Sequence, residues 1–327
     1  MPIIDAHVHF AGDEPESLVL LHDLDIKLLN ICVALDPGDG WREQADTWGS
    51  LTAEYPEHYA WCTSFDLPQI GNPNYVDDVI AAVERDFANG AVACKVWKNI
   101  GMDVRDASGA FMMVDDPLLE PIFSALEVHG KPLLMHIGEP LACWQSLEEM
   151  GAGHPHYPYY STHPEWHMYG KPDVPSHADH IAARDRVVER HPKLSIIGAH
   201  LGSLEYDVGE IAKRLEQYPN FAVDTSARLE DLVRQDADRV RDFFMTYADR
   251  ILFGTDLVCF SRTSQVSPAE RTAVCEEMRR QVSYNLAYFS TSGKFVMGDR
   301  EFDGLALPAA IIDKVMGENA RRWYPGL

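Results

Sequence analysis

Apolar and polar positions alternate along this chain in two different rhythms. Short β-rich apolar runs stand at 2–8, 28–35, 59–65, 91–97, 131–137, 193–200, 221–226 and 250–256. Between most of them lie stretches whose apolar residues recur at helical spacing, at 75–88, 117–130, 182–191 and 231–248. Strand and helix taking turns predict a parallel sheet covered by helices. Eight such units predict a (β/α)8 TIM barrel, a fold of typically about 250 residues before insertions.

The 327 residues exceed that size, so the surplus is expected in loops. The largest insertion is expected at about 139–178, between the fifth strand and its helix, in a segment rich in Pro, Tyr, Trp and His. A second region opens at Ser267 with S-P-A-E, where Ser267 reads as a helix cap, Pro268 as the first helical residue and Glu270 as the partner closing a capping box. A long last helix is expected to follow. No internal repeat is evident, and 1–327 is expected to form one barrel domain; a two-domain doubly wound arrangement is the alternative, though no linker supports it.

Composition narrows the partners. With 28 basic and 51 acidic residues the formal charge is −23, which repels nucleic acid and anionic membrane surfaces. The 46% hydrophobic and 24% charged content is that of a globular chain with a core. Six cysteines, at 32, 62, 94, 143, 259 and 275, include no C-x-x-C pair and read as reduced thiols. The N-terminus MPIIDAHVHF has no leader pattern, and no uncharged apolar run is long enough to span a membrane. The expectation is a cytoplasmic enzyme acting on a small molecule.

The chemistry sits at the predicted strand ends. His7 and His9 are two apart on the first strand, so their side chains share a face and two imidazoles can aim at one ion. Taken alone, such a pair is as readily chance. His136, His200 and Asp256 follow the fifth, sixth and eighth strands, at the end where this fold places catalysis. Three neutral imidazoles and a carboxylate suit one divalent ion, Zn2+ or else Mn2+ or another transition metal, with an open position for a water of lowered pKa. His200 then need not be a ligand; it can orient the water or move a proton.

The motifs DAHVHF, LLMHIGEP, IIGAHLGS, ILFGTD and GENARRWYP, in that order over essentially the whole chain, resemble the amidohydrolase superfamily. The likeness is to its amidohydrolase-related branch, which includes metal-dependent lactonases and aminocarboxymuconate-semialdehyde decarboxylase. The resemblance implies that His7, His9, His136 and Asp256 bind one metal, that His200 is catalytic beside it, and that Asp256 also accepts a proton from the water. Many superfamily members carry a carboxylated lysine bridging two metals. Lys95, in AVACKVWKNIG, is either that bridge, with His200 as a second-metal ligand, or a point charge facing a substrate carboxylate or carbonyl, or a surface lysine. The point charge is preferred and the binuclear site is the lesser expectation; Lys98 is expected out in the loop.

The loop after the fifth strand holds a second His-x-His, His154 and His156, but Pro155 and Pro158 argue against a regular strand that would align them. The segment reads as a lid, with Trp166 and His167 as substrate contacts. Glu139 is a candidate for bonding substrate or an imidazole, and Arg228 for an anionic substrate group, each against the alternative of a solvated surface charge. Asp5 and Asp224 are candidate supporting carboxylates. Three functions compete: hydrolysis of a small ester, lactone or amide by a metal-activated water; decarboxylation of a small unsaturated or aromatic acid on the same metal; and a non-catalytic scaffold, disfavoured because three histidines and an aspartate at one mouth are costly to bury without a use. The run SYNLAYFS at 283–290 fits either a homodimer face or a core contact.

Overall fold

The computed structural model describes residues 2–35, 40–68 and 71–327. Eight parallel strands run in sequence order: β1 (Ile3–Phe10), β2 (Ile26–Ile31), β3 (Tyr59–Ser64), β4 (Ala93–Val96), β5 (Leu133–Met135), β6 (Ile196–Gly198), β7 (Phe221–Asp224) and β8 (Ile251–Leu252). A short continuation, β9 (Val258–Cys259), pairs in parallel with the end of β1. The ring closes through backbone bonds across β1 and the β8–β9 segment, Ala6 N to Phe253 O at 2.9 Å and His9 N to Leu257 O at 2.8 Å. All eight expected strands are present, each within three residues of its expected start, and the chain is a single-domain (β/α)8 barrel.

Strand alternation decides which side chains enter the barrel. Leu29, Ile31, Ala60, Cys62, Ala93, Leu134, Ile197, Ala222 and Leu252 share one inward-facing cluster. Their neighbours Leu28, Trp61, Cys94, Leu133, Ile196 and Phe221 pack outward under the helices. Two residues further along the same inward parity come Lys95, His136 and Asp224. The strand that buries an alanine or leucine in the floor therefore delivers a polar group to the mouth.

The helices follow their local signals, with two corrections. The stretch 231–248 is not one helix but two, Leu229–Leu232 and Ala237–Thr246, because Asp236 caps the second by accepting from Arg239 N at 2.9 Å. Ser267 accepts from Glu270 N and Glu270 accepts from Ser267 N, the expected capping box with Pro268 first in the helix Pro268–Ser290. That helix is not the last. An antiparallel hairpin, β10 (Lys294–Met297) and β11 (Arg300–Asp303), follows it, and the helical run 309–323 is the one that returns to the barrel, with Val315 O accepting from Phe253 N at 2.9 Å. Residues 257–308 thus form an excursion longer than the 139–178 insertion, which is not the largest. A helical pattern does not say whether its helix covers the barrel wall or its mouth.

The 139–178 segment contains short helices at Leu141–Trp144, Leu147–Met150 and Tyr157–Thr162 around its own apolar cluster of Met102, Cys143, Met150, Tyr160 and Met168. Tyr288 and Phe289 of SYNLAYFS are buried in the chain's own core. The six cysteines form no disulfide. Among the described residues, no helix is long and apolar enough to cross a membrane.

Candidate metal centre

β1 carries Asp5, His7 and His9 into the mouth, all buried. His7 Nδ1 lies 2.9 Å from Asp224 Oδ2 and donates to it, which leaves Nε2 with its lone pair outward. His9 Nδ1 donates to Ile31 O at 2.7 Å with the same result. Both Nε2 atoms converge on one oxygen, Asp256 Oδ1, at 3.6 Å from His7 and 3.5 Å from His9. Asp256 reaches that point from a left-handed backbone (φ 61°), fixed by its N–H donating to His7 O at 2.8 Å. Its side chain is 28% exposed, against 0% and 5% for the two imidazoles.

His136 and His200 complete the cluster, with ring centroids 4.3 Å apart, and the His200 centroid is 4.8 Å from that of His7. His136 Nε2 is buried with no partner, a lone pair or proton otherwise costly to leave unmet. His200 sits on a left-handed turn, φ 56°, and is held by its N–H donating to Asp224 Oδ1 (2.8 Å) and its Nδ1 donating to Ser226 O (2.9 Å). Asp224 therefore orients two histidines at once, while Ser226 Oγ donates to it.

Burial sets the protonation states. It pushes His9 down to about 4, His200 down to about 3 and His136 well below the usual imidazole range, so all three are neutral near pH 7. Burial alone would raise Asp256 and Asp224, but the histidines outweigh it: His200, then His9 and His7, hold Asp256 well below the ordinary carboxylate, and His7 takes Asp224 down to about 2. Asp5 goes the other way. Burial lifts it to about 7 against bonds from Thr255 N (3.0 Å) and Thr255 Oγ1 (2.5 Å). Neutral Nε2 atoms, an ionised carboxylate and one orphaned buried nitrogen form a donor set that fits a borderline divalent ion. His7, His9 and Asp256 form one compact group of donor atoms; His7, His200 and Asp224 form another, in which Asp224 is already engaged.

Lys95 is no surface lysine. It is buried beside this cluster, with Nζ 3.2 Å from His7 Nε2, and burial lowers its pKa. Lys98, expected out in the loop, is buried too: it bonds Glu139, lies 3.3 Å from Tyr159 Oη, and places its ammonium 4.5 Å from the Trp166 ring and 5.3 Å from the Trp97 ring. Glu139 is thus a buried ion-pair partner and not a solvated acid. Trp166 packs on Trp97, whose ring in turn meets His136, so the loop touches the histidine cluster through two tryptophans. His167 is not brought to that cluster; its Nε2 bonds Gln145 O at 2.8 Å and its ring stacks on Tyr160. His154 and His156 lie apart from it as well, and His156 pairs with Asp231 at 2.8 Å.

Arg228 is buried, with Nε unpartnered and one N–H donating to Ala227 O. It lines a cavity of about 470 Å3 together with Thr255 and Asp256. Behind it Glu205, also buried, accepts from Leu141 N at 2.9 Å, and burial raises its pKa to about 7. Sequence reasoning missed Trp97, Ser226 and Glu205. Ser226 lies within the DTSAR run that flags Arg228; Glu205 is ordinary in sequence and is distinguished only by what folds over it.

A family model described as Amidohydrolase matches residues 4–326. No curated protein matches the chain. Among solved structures, 2,6-dihydroxybenzoate decarboxylase from Rhizobium is similar at 18% identity and a TM-score of 0.56, over 99% of this chain and 98% of that one. 4-Oxalomesaconate hydratase from Rhodopseudomonas palustris is similar at 13% identity and 0.55, over 99% and 96%. A dihydroxybenzoic acid decarboxylase from Polaromonas, solved with bound manganese and the inhibitor 2-nitroresorcinol, is similar at 16% identity and 0.50, over 87% and 97%. At these identities the likeness is one of fold.

Proposed function

The chain belongs to the amidohydrolase family, and from that premise we propose that it hydrolyses a small ester, lactone or amide with one divalent metal ion held by His7, His9, His136 and Asp256. The observation that carries this reading is the convergence of the His7 and His9 Nε2 atoms on the single partly exposed carboxylate of the cluster. When bound, Zn2+ or Mn2+ supplies Lewis-acid polarisation of a carbonyl and lowers the pKa of a water. Asp256, ionised and open to solvent on one side, takes the proton of the attacking water. The proton that Asp256 takes from the water is the one delivered to the leaving group, while neutral His200, oriented by Asp224 and Ser226, accepts a hydrogen bond through Nε2 and orients the water. Lys95, with its charge facing His7, steadies negative charge developing on the substrate. Trp166 and Glu139 shape the wall under the loop, with His167 holding that loop in place. Arg228 meets an acidic group of a small-molecule substrate.

A second reading, decarboxylation of a small unsaturated or aromatic acid on the same ion, is favoured by one observation: the unspent guanidinium of Arg228 lines the same cavity as Asp256. Two of the similar structures are decarboxylases. The test is elemental mass spectrometry of the purified protein, followed by a panel of lactones, esters, amides and acids assayed for both acid and CO2 release. About one Zn2+ or Mn2+ per chain with acid release is expected. His7→Ala with His9→Ala should lose both metal and turnover while far-UV circular dichroism stays unchanged. Turnover surviving in that variant would refute the reading, and CO2 release without hydrolysis would transfer it to the second.

A further inference from the structure

The cavity that contains Asp256 lies beside the histidine cluster and meets it through that aspartate, and its outer half is built by the excursion that the barrel does not require. Its deep end is Thr225, Arg228, Thr255 and Asp256; its outer wall is Arg280, Tyr284 and Asn285 of the long helix and Gly298, Asp299 and Arg300 of the hairpin. A volume of about 470 Å3 falls within the roughly 300–1,000 Å3 of pockets that enclose ligands with several functional groups.

The charges on that outer wall are largely cancelled. Arg300 pairs with Glu230 at 2.8 Å, and Arg280 pairs with Glu277 on its own helix. With both arginines paired and Asp299 in no ion pair among the described residues, the outer wall offers no unpaired cation to a second anionic group. What it offers is hydrogen bonding. Tyr284 Oη accepts from Gly298 N at 3.2 Å, which leaves its own O–H to give. Asn285, buried, donates to Gln281 O at 2.9 Å and keeps its carboxamide oxygen free. The same Tyr284–Gly298 bond ties the hairpin to the helix, so the donor and the wall are held together.

We propose that the substrate has two ends: an acidic group at Arg228 beside Asp256, and a distal uncharged hydrogen-bonding group, a hydroxyl or amide, read by Tyr284 and Asn285 on the excursion. This rests on the assignment of Arg228 to an acid group. The excursion thereby selects the substrate, while the barrel supplies the chemistry.

Three para-substituted benzoates test it, carrying ethyl, 2-hydroxyethyl or 2-carboxyethyl groups, titrated calorimetrically into the metal-loaded protein. The hydroxyethyl acid is expected to bind about tenfold more tightly than the ethyl acid, the size of one well-made hydrogen bond. The carboxyethyl acid should bind no more tightly than the ethyl acid. In Tyr284→Phe the ratio of hydroxyethyl to ethyl affinity should fall to near one. Equal binding of all three acids, tightest binding by the carboxyethyl acid, or an unchanged ratio in Tyr284→Phe would each overturn the two-ended substrate alone. No binding of any of them would overturn the Arg228 assignment and this inference with it.

Discussion

Glu205→Gln is a nearly isosteric change whose effect on stability should depend strongly on pH. Glu205 is 2% exposed; its Oε1 accepts from Leu141 N, its Oε2 has no partner, and burial raises its pKa from 4.5 to about 7 against the pull of Arg228. Below pH 4.5 the carboxyl is protonated in both the folded and the unfolded chain and contributes no difference. Between 4.5 and about 7 the unfolded chain ionises while the native chain keeps its proton, so the native state binds more protons and loses stability as pH rises. Above about 7 the loss is complete, and the interval corresponds to about 3 kcal/mol. Gln keeps the acceptor for Leu141 N and cannot ionise. Urea unfolding of the two proteins should therefore differ by under about 1 kcal/mol at pH 5 and by up to about 3 kcal/mol at pH 8, with the variant the more stable. An equal difference at both pH values, or a variant that is the less stable at pH 8, would refute the account of Glu205 as a buried acid held against its charge.

Two further outcomes follow from the mouth. Lys98→Met strands the buried Glu139 carboxylate and should cost about 3–5 kcal/mol, whereas Lys98→Met combined with Glu139→Leu should recover most of that loss in the same urea assay; an equal loss in both would show that the ion pair is not what the site depends on. Arg228→Gln should raise KM for acid-bearing substrates by about ten- to a hundredfold, with kcat less affected and neutral analogues untouched. A fall in kcat at constant KM would instead place Arg228 at the reacting atoms.

The barrel was legible because its signal is repeated eight times and each repeat is short, apolar and closed by a helix; His7, His9, His136, His200 and Asp256 were legible because strand ends are where such sequences put chemistry. The excursion was not legible, since the capping box at Ser267 marks where a helix starts and says nothing about the surface it lies on. Lys98 lies in the loop after β4 as expected, but its burial was not legible, for a related reason. A lysine one residue beyond a strand and a tryptophan looks solvated until Glu139, Tyr159 and Trp166 arrive from distant positions to enclose it. Glu205 and Asp231 show the same limit, for their burial is created by the 139–178 loop and by no local pattern.

The turn that carries His200 has a consequence for how this part of the chain tolerates change. His200, Leu201, Gly202 and Ser203 all have positive φ, between 56° and 63°, in one unbroken left-handed turn. For residues other than glycine that conformation costs roughly 1–2 kcal/mol each, and β-branched side chains suffer most. At position 202 a Cβ would also lie 2.8 Å from the Arg184 guanidinium, which would have to shift to admit it. Mutational libraries aimed at the pocket should leave these four positions fixed, because their side chains answer to the backbone they must adopt as much as to the ligand they face.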